Sequence, residues 1–332
     1  MMLLAVLLVM AMTGLAQQIA VVSSSGSTTV HQTLKDAIES ASNGSVIYLP
    51  GGGFTIGDSV KITHRVTIVG IGHKATNDNA DGSTTIGGNL CFSMGSDGST
   101  VMGCYITGDI RIAEDGPVNN MMVKLCSINS MQVKNSECFG TFINQNYIRN
   151  GSDFGMSEVT ISNNVTSKIC NIGSGTFKNN VVCYSNYYNY GYGPGWPDYS
   201  LENVNYTTIT SNIFRHGGGG TTVIHSGTGC QSSNNYQEQG SHGNAWGDDP
   251  IIIDAGISDV LVNVNDWAIS PKSNFHFKDE YKQYESQMGI YAGSGFSDDA
   301  LPPVAYFVAK RIAEQTDAAG KLKVQVRVNS SN

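Results

Sequence analysis

Apolar residues recur through the middle of the chain in a short unit. An apolar position is followed by two variable residues, an Asn or Cys, any residue, and then a second, usually apolar, position. The unit reads Val101, Cys104, Ile106, then Val123, Cys126, Ile128, then Ile143, Asn146, Ile148. It continues with Ile161, Asn164, Thr166, then Phe177, Asn180, Val182, then Ile209, Asn212, Phe214. The first positions are 22, 20, 18, 16 and 32 residues apart. A stretch from Val66 to Ile71 reads as an earlier member, and Ser232 to Tyr236 as a degenerate later one. A period of about 19 residues holds two or three short strands and no helix, which is one coil of a solenoid. A coil cannot bury its apolar face alone, so coils must stack. Stacked strands lie about 4.8 Å apart, so a residue type kept at one position becomes a ladder. Asn suits such a column: it tolerates left-handed backbone at a tight turn, and its amide can bond the Asn of the next coil.

The ends read differently. Within residues 28–42, Val30, Leu34, Ala37, Ile38 and Ala41 fall on one face at helical spacing, and Thr28 or Thr29 can cap the start. This predicts an amphipathic helix closing the open end of a stacked core. Residues 44–50 read as a strand and Gly51–Gly53 as a turn. Toward the other end, 251–253 and 261–264 read as last strands, and 321–328 alternate strictly, as a strand with one buried face does. Residues 304–316 fit a helix or a strand equally.

Residues 33–72 resemble the opening of the right-handed parallel β-helix proteins of the pectin-lyase-like superfamily. The shared features are a helix, a small-residue turn, a strand carrying Ile47 and Leu49 before Gly52, and a Val-Thr-Ile-x-Gly coil at 66–70. The Ser-Asn-Asn-Val units are similar to that family's Asn-ladder coils. Asp249–Ile253, Ile269–Pro271 and Met288–Gly293 resemble the closing segment of many secreted bacterial members. The resemblance implies an all-β, right-handed parallel β-helix over residues 17–293, with its capping helix near 28–42. Residues 294–332 would form a small C-terminal β appendage. It does not imply one activity, because the scaffold carries lyases, hydrolases, epimerases and adhesins. The six Arg, at 65, 111, 149, 215, 311 and 327, form no Arg-x-Pro-x-x-Arg motif of pectate lyases. Asn-Thr-Asp and Arg-Ile-Lys, two polygalacturonase signatures, are missing, and Gly247, Asp248 and Asp249 follow Ser241, His242 and Gly243 in the wrong order. Asp248 and Asp249 therefore read as closing-turn residues, and no catalytic residue carries over.

Composition narrows the function classes. The chain is 40% hydrophobic, enough for a packed core, yet only 14% charged, against about 25% in an average soluble protein. Its 39 Gly and 29 Asn favour turns over helices. A net charge of −8 argues against a nucleic-acid binder and against docking on an anionic membrane. Residues 1–16 are apolar at fourteen positions, with Gly14 and Ala16 placed for cleavage before Gln17, although no Lys or Arg precedes the run. This reads as a signal peptide of a secreted, periplasmic or cell-surface protein. As an uncleaved anchor the run is short of the roughly 20 residues a span needs. No later stretch is long enough to cross a bilayer. Seven Cys, an odd number, lack metal-ligand spacing; they read as small buried hydrophobes, with one or more disulfides as the alternative.

Two constellations could carry function. Arg215 and His216 precede four Gly, and His225 follows nine residues after His216. A β-elimination needs a base near an acidic proton and a cation on the carboxylate, which an Arg and two His could supply. The alternative is a solvated surface turn. The spacing of 32 before Ile209 contains an insertion, 184–199, with six of the fifteen Tyr and one of the three Trp. Tyr187, Tyr188, Tyr190, Tyr192, Trp196 and Tyr199 could stack on the C–H faces of sugars; alternatively they fold back as a lid over the coil. The carboxylates Asp78, Asp81, Asp97, Asp109, Glu114 and Asp115 lie in turns, with no calcium-loop spacing. No cofactor is expected, and no motif supports Ca²⁺. The expected partner is a polysaccharide or cell-surface glycan, bound and, in the enzymatic version, cleaved by a lyase or hydrolase reaction. The competing expectation is a non-enzymatic cell-surface or adhesive scaffold.

Overall fold

The computed structural model describes residues 18–74, 82–183, 200–214, 224–226, 228–238, 251–253, 255–264, 273–299, 301–303, 305–316 and 321–330. The chain is all-β, and most of it forms one 25-stranded, mostly parallel sheet. The pairings resolve into three parallel ladders that the chain visits in turn. The first runs from Ser45–Tyr48 through Val66–Val69, Thr100–Met102, Met122–Lys124 and Thr141–Asn144 to Thr207–Thr210 and Gln231–Ser233. The second includes Tyr105–Ile106, Tyr147–Ile148, Val181–Val182 and Ile213–Phe214, and ends at Ile251–Ile253. The third includes Ile110–Ile112, Met131–Val133, Leu201–Val204 and Ile224–Ser226.

The repeat positions stack as their spacing requires. Val123 pairs with Ile143, Ile143 with Ile161, and Ile161 with Phe177, and all four are fully buried. The column extends up to Ile209 and down through Val101 and Ile68 to Ile47. The member expected to start at Val66 is thus displaced by two residues, because Ile68 points into the core column. Stacking replaces water around each apolar side chain with the equivalent side chains above and below.

The Asn positions form a second column. The Oδ1 of Asn164 accepts from both the backbone N–H (2.9 Å) and the Nδ2 (3.0 Å) of Asn146. Asn180 serves Asn164 in the same way, Asn212 serves Asn180, and Asn235 serves Asn212. Each Nδ2 also donates to the carbonyl of an apolar-column residue, as Asn180 does to Ile161 at 3.0 Å. In two earlier circuits Cys104 and Cys126 hold the column and donate their thiols to nearby carbonyls. One expectation needs correcting. The left-handed residue is not the ladder Asn but the one before it: Gln145, Asn163, Asn179, Ser211 and Asn234 have φ of 52–58°. The two Asn of each Ser-Asn-Asn unit therefore do different work, the first making the turn and the second the bond. Replacing Asn180 with Ala orphans the buried Asn164 N–H and the Ile161 carbonyl. We expect a loss of roughly 3 kcal/mol in denaturant unfolding; a loss under about 1 kcal/mol would contradict this accounting.

The N-terminal end differs from expectation. The helix spans Leu34–Ser40, not 28–42, and Thr33 caps it by accepting from the Asp36 N–H at 3.1 Å. Thr28–His31 is instead a strand, antiparallel to Ile19–Val22, which is itself antiparallel to Ser45–Tyr48. Val30 is 57% exposed, so it belongs to no buried helical face. Leu34, Ala37 and Ile38 do bury against the first circuits, as a closing helix should. The expected Gly51–Gly53 turn also gives way, since a strand begins at Gly52 and runs to Ile62.

After Ile253 the chain leaves the main sheet. Leu261–Asn263, expected as a last strand, pairs antiparallel with Asn274–Phe277 in a separate two-stranded sheet. Phe275, Phe277, Met288 and Ile290 then pack on the outward residues of the second ladder, including Tyr147, Val165, Val181 and Ile213. Residues 289–302 run back along the turns between the first and second ladders. Gly289 donates to the Ser211 carbonyl, and Asn163 Nδ2 donates to the carbonyls of Ile290 (2.9 Å) and Ala292 (2.7 Å). Phe296 packs edge-on against Tyr147, Lys74 donates to the Asp298 carbonyl, and Leu301 reaches Ile71. A β-carbon at Gly103 would lie 2.7 Å from Pro302, so only glycine permits this approach. The remaining segment is an antiparallel hairpin of Ala305–Thr316 and Leu322–Ser330, which settles the helix-or-strand ambiguity of 304–316 in favour of a strand. All seven Cys are free thiols, four of them buried.

Candidate functional site

Strands of the third ladder follow an apolar–polar–apolar rhythm. Ile110 and Ile112 point inward while Arg111 between them is half-buried, and Met131, Gln132 and Val133 repeat the arrangement. The register joins the residues at the middle position into one column: Lys61, Cys91, Arg111, Gln132, Asp153, Cys170 and Glu202, with the backbone of His225 next. Neighbours in it are one strand apart, about 4.8 Å. Five of its members, Lys61, Arg111, Asp153, Glu202 and His225, are ionisable acids or bases.

Its charges are mostly engaged. Lys61 contacts Asp115 at 2.8 Å, and the pairing holds the Asp115 carboxyl below, and the Lys61 ammonium above, its ordinary range. Both are exposed, so the pair adds little to stability. Arg111 lies 3.6 Å from Asp109 and 3.9 Å from Glu114. Asp109 also accepts from Asn129 Nδ2 and Ser130 Oγ, both at 2.8 Å. Asp153 accepts from the Gly155 N–H at 2.8 Å, and Glu202 is ion-paired to Lys168. Cys170 sits between Asp153 and Glu202. Burial, with Asp153 adding to it, pushes its thiol up to about 11. It is a neutral thiol at physiological pH, which excludes a thiolate nucleophile there.

Of the residues expected from sequence, only His225 enters this geometry. Its backbone lies in Ile224–Ser226, opposite Glu202. Arg215, His216 and the six rings Tyr187, Tyr188, Tyr190, Tyr192, Trp196 and Tyr199 lie outside the described residues, as do Asp248 and Asp249. The described strands on either side fix where these segments leave and rejoin. Residues 184–199 and 215–223 both connect the second ladder to the third, in consecutive circuits. Arg111, Asp153 and Glu202 went unread in the sequence. The signal available was the apolar–polar–apolar triplet that follows each Asn column position.

A second polar group lies on the closing segment. His276 stacks on Tyr291 with ring centres 3.7 Å apart. Its Nε2 meets Asp298 at 3.0 Å and its Nδ1 meets Glu285 at 3.2 Å, while the Tyr291 hydroxyl donates to Asp298. Burial pushes the Glu285 carboxyl up, but bonds from Lys282, the Phe277 N–H and His276 outweigh it, leaving it below the usual range. These contacts tie Glu285, Tyr291 and Asp298 together around His276. Among the described residues no group of three His, Cys, Asp or Glu side chains could hold a metal ion, and no helix is long and apolar enough to cross a membrane.

No protein-family model matches the chain, and neither a curated protein nor a solved structure does. The likeness to pectin-lyase-like proteins therefore rests on the residues quoted above and on the parallel ladders.

Proposed function

We propose that this chain is a secreted right-handed parallel β-helix of pectin-lyase-like kind that binds polysaccharide along the outer face of its third ladder. The observation that carries the reading is the register of that ladder. It lines up Arg111, Gln132, Asp153, Cys170 and Glu202 over consecutive circuits, with the backbone of His225 next, on the ladder that two long insertions rejoin. An extended polymer is the ligand whose repeating hydroxyls and carboxylates match groups repeating about every 4.8 Å. The segments 184–199 and 215–223, which hold the aromatic residues and the Arg215–His216 pair, join the second ladder to the third in consecutive circuits, and insertions in solenoids gather on the binding face.

One observation favours a non-enzymatic scaffold over a lyase or hydrolase. Asp153 and Glu202 already have partners in Gly155 and Lys168, whereas a general acid or base must be within hydrogen-bond reach of the substrate. Incubation with uronic-acid and neutral polysaccharides separates the two readings. Appearance of unsaturated-product absorbance or new reducing ends marks an enzyme; retention in glycan-containing gels without either marks a binding protein. Replacing Trp196 and Tyr190 with Ala together is expected to weaken retention about tenfold, at roughly 0.5–1.5 kcal/mol per stacked ring. A large fall in melting temperature with unchanged retention would instead make those rings a structural lid.

A further inference from the structure

Tyr206 stands out on the described surface. It turns the chain from the third ladder into the first with φ of 42°, in the left-handed region. Such a backbone is a genuine outlier for a bulky residue, and Asn or Gly adopts it at lower cost. Its side chain is nonetheless 65% exposed, so core packing does not explain the choice of residue. One side of the ring rests on Gly229 of the next circuit, where a β-carbon would come within 2.6 Å of Cδ1 and 2.8 Å of Cε1. The hydroxyl bonds no other described side chain. The strain is thus borne for a ring set against Gly229 on one edge and largely open to solvent.

Beside it, the first ladder presents an uncharged outward column. Thr160 pairs with Thr176, Thr176 with Thr208, and Thr208 with Gln231; below them the column continues through Phe142 and Met122 to Thr100 and Thr67. The hydroxyls of Thr160, Thr176 and Thr208 bond to no other described side chain, and the three residues are at least partly exposed. Thr208 is two residues from Tyr206, and both are exposed. Asn205 accepts from the Thr228 N–H at 2.8 Å, while among the described residues its amide nitrogen meets only the Met156 sulfur, 4.0 Å away.

We propose that Tyr206, with the hydroxyls of Thr160, Thr176 and Thr208 and the Asn205 amide, forms a subsite for a neutral glycan, separate from the charged face of the third ladder. A flat ring takes the C–H face of a sugar, and hydroxyls and an amide take its O–H groups. The column itself carries only hydroxyl, amide and apolar groups; the nearest charged residues on the strands of Thr160 and Thr176, Glu158 and Lys178, stand two positions from them and are of opposite sign, so no net charge recruits a uronate. The proposal rests on the polysaccharide reading and adds a ligand class and a location to it.

The test compares the intact protein with Tyr206→Asn, Tyr206→Phe and Thr176→Val in gels containing xylan, β-glucan or polygalacturonate. Tyr206→Asn should weaken retention by the neutral glycans about three- to tenfold, the range of one lost stacking contact. Retention by polygalacturonate should stay the same, and the melting temperature should hold or rise, since Asn relieves the backbone. Tyr206→Phe should bind within about twofold of the parent, and Thr176→Val should bind neutral glycan more weakly. Undiminished neutral-glycan retention by Tyr206→Asn, in a parent that binds, overturns this subsite and leaves the polysaccharide reading standing. A parent that retains no glycan of either kind overturns both. A lower melting temperature for Tyr206→Asn with retention intact makes the tyrosine structural and also overturns the subsite.

Discussion

Replacing Ile161 with Asp is expected to leave the chain without a cooperative unfolding transition. Ile161 is fully buried between Ile143 and Phe177 in the first ladder. A carboxylate there has no hydrogen-bond donor in the column, and even its protonated form loses the apolar contacts above and below. The combined cost, about 4–5 kcal/mol or more, rivals the 5–15 kcal/mol that holds a typical domain together. Ile161→Val, which removes one methylene, should cost only about 1 kcal/mol and keep a sharp melt. Circular dichroism on the two variants distinguishes an inward column from an outward one. An Ile161→Asp protein melting within a few degrees of the parent would mean that this residue does not face the core.

The second large effect is a dependence on pH. His73 lies buried against Tyr147, with ring centres 5.4 Å apart, and neither ring nitrogen has a hydrogen-bond partner among the described residues. Burial, with the neighbouring Lys74 adding to it, pulls its pKa down from 6.5 to about 3. In the unfolded chain the imidazole takes up a proton near 6.5; in the folded one it resists until about 3. The unfolded state therefore binds more protons throughout that window, and stability is lost as pH falls from 6.5 toward 3. At about 1.4 kcal/mol per pH unit the full loss is on the order of 5 kcal/mol. His73→Phe removes both the proton uptake and two orphaned nitrogens. Its stability should match or exceed the parent's at pH 7 and exceed it by several kcal/mol near pH 4. Parallel stability curves for the two proteins would refute the assignment.

What could be read in the sequence, and what could not, follows from how tightly each position is constrained. The Asn column was legible because from Asn146 to Asn235 its bond pattern calls for an amide, which accepts twice through Oδ1 while donating through Nδ2, with Cys taking the position only in the two circuits below. The apolar column was legible for a similar reason, as every member meets its own kind. The helix was read six residues too early because Val30 and Leu34 share helical spacing locally. The strand that claims Val30, Ile19–Val22, became visible only through pairing. The path of 289–302 was hidden because its partners, Asn163 and Ser211, lie far away in sequence. The outer column of the third ladder was illegible for the opposite reason. Lys, Cys, Arg, Gln, Asp and Glu all occupy it, so stacking imposes no residue type, and the variation is what a surface free to specialise would show. The aromatic insertion and the Arg215–His216 pair were conspicuous by composition, yet composition gives no geometry.

The path of residues 289–302 changes how the molecule resists being taken apart. A simple stack can lose circuits one by one from either end, like beads sliding off a thread, because each touches only its neighbours. Here one length of chain is fastened in turn to the circuits of Ser211, Asn163, Tyr147, Gly103 and Ile71. Peeling the last circuit means first detaching Gly289, and each further step must strip the next fastening. Fraying from the C-terminal end thus becomes a sequence of coupled ruptures rather than a free slide. A pull on any one of these circuits is shared along the stack instead of falling on that coil alone.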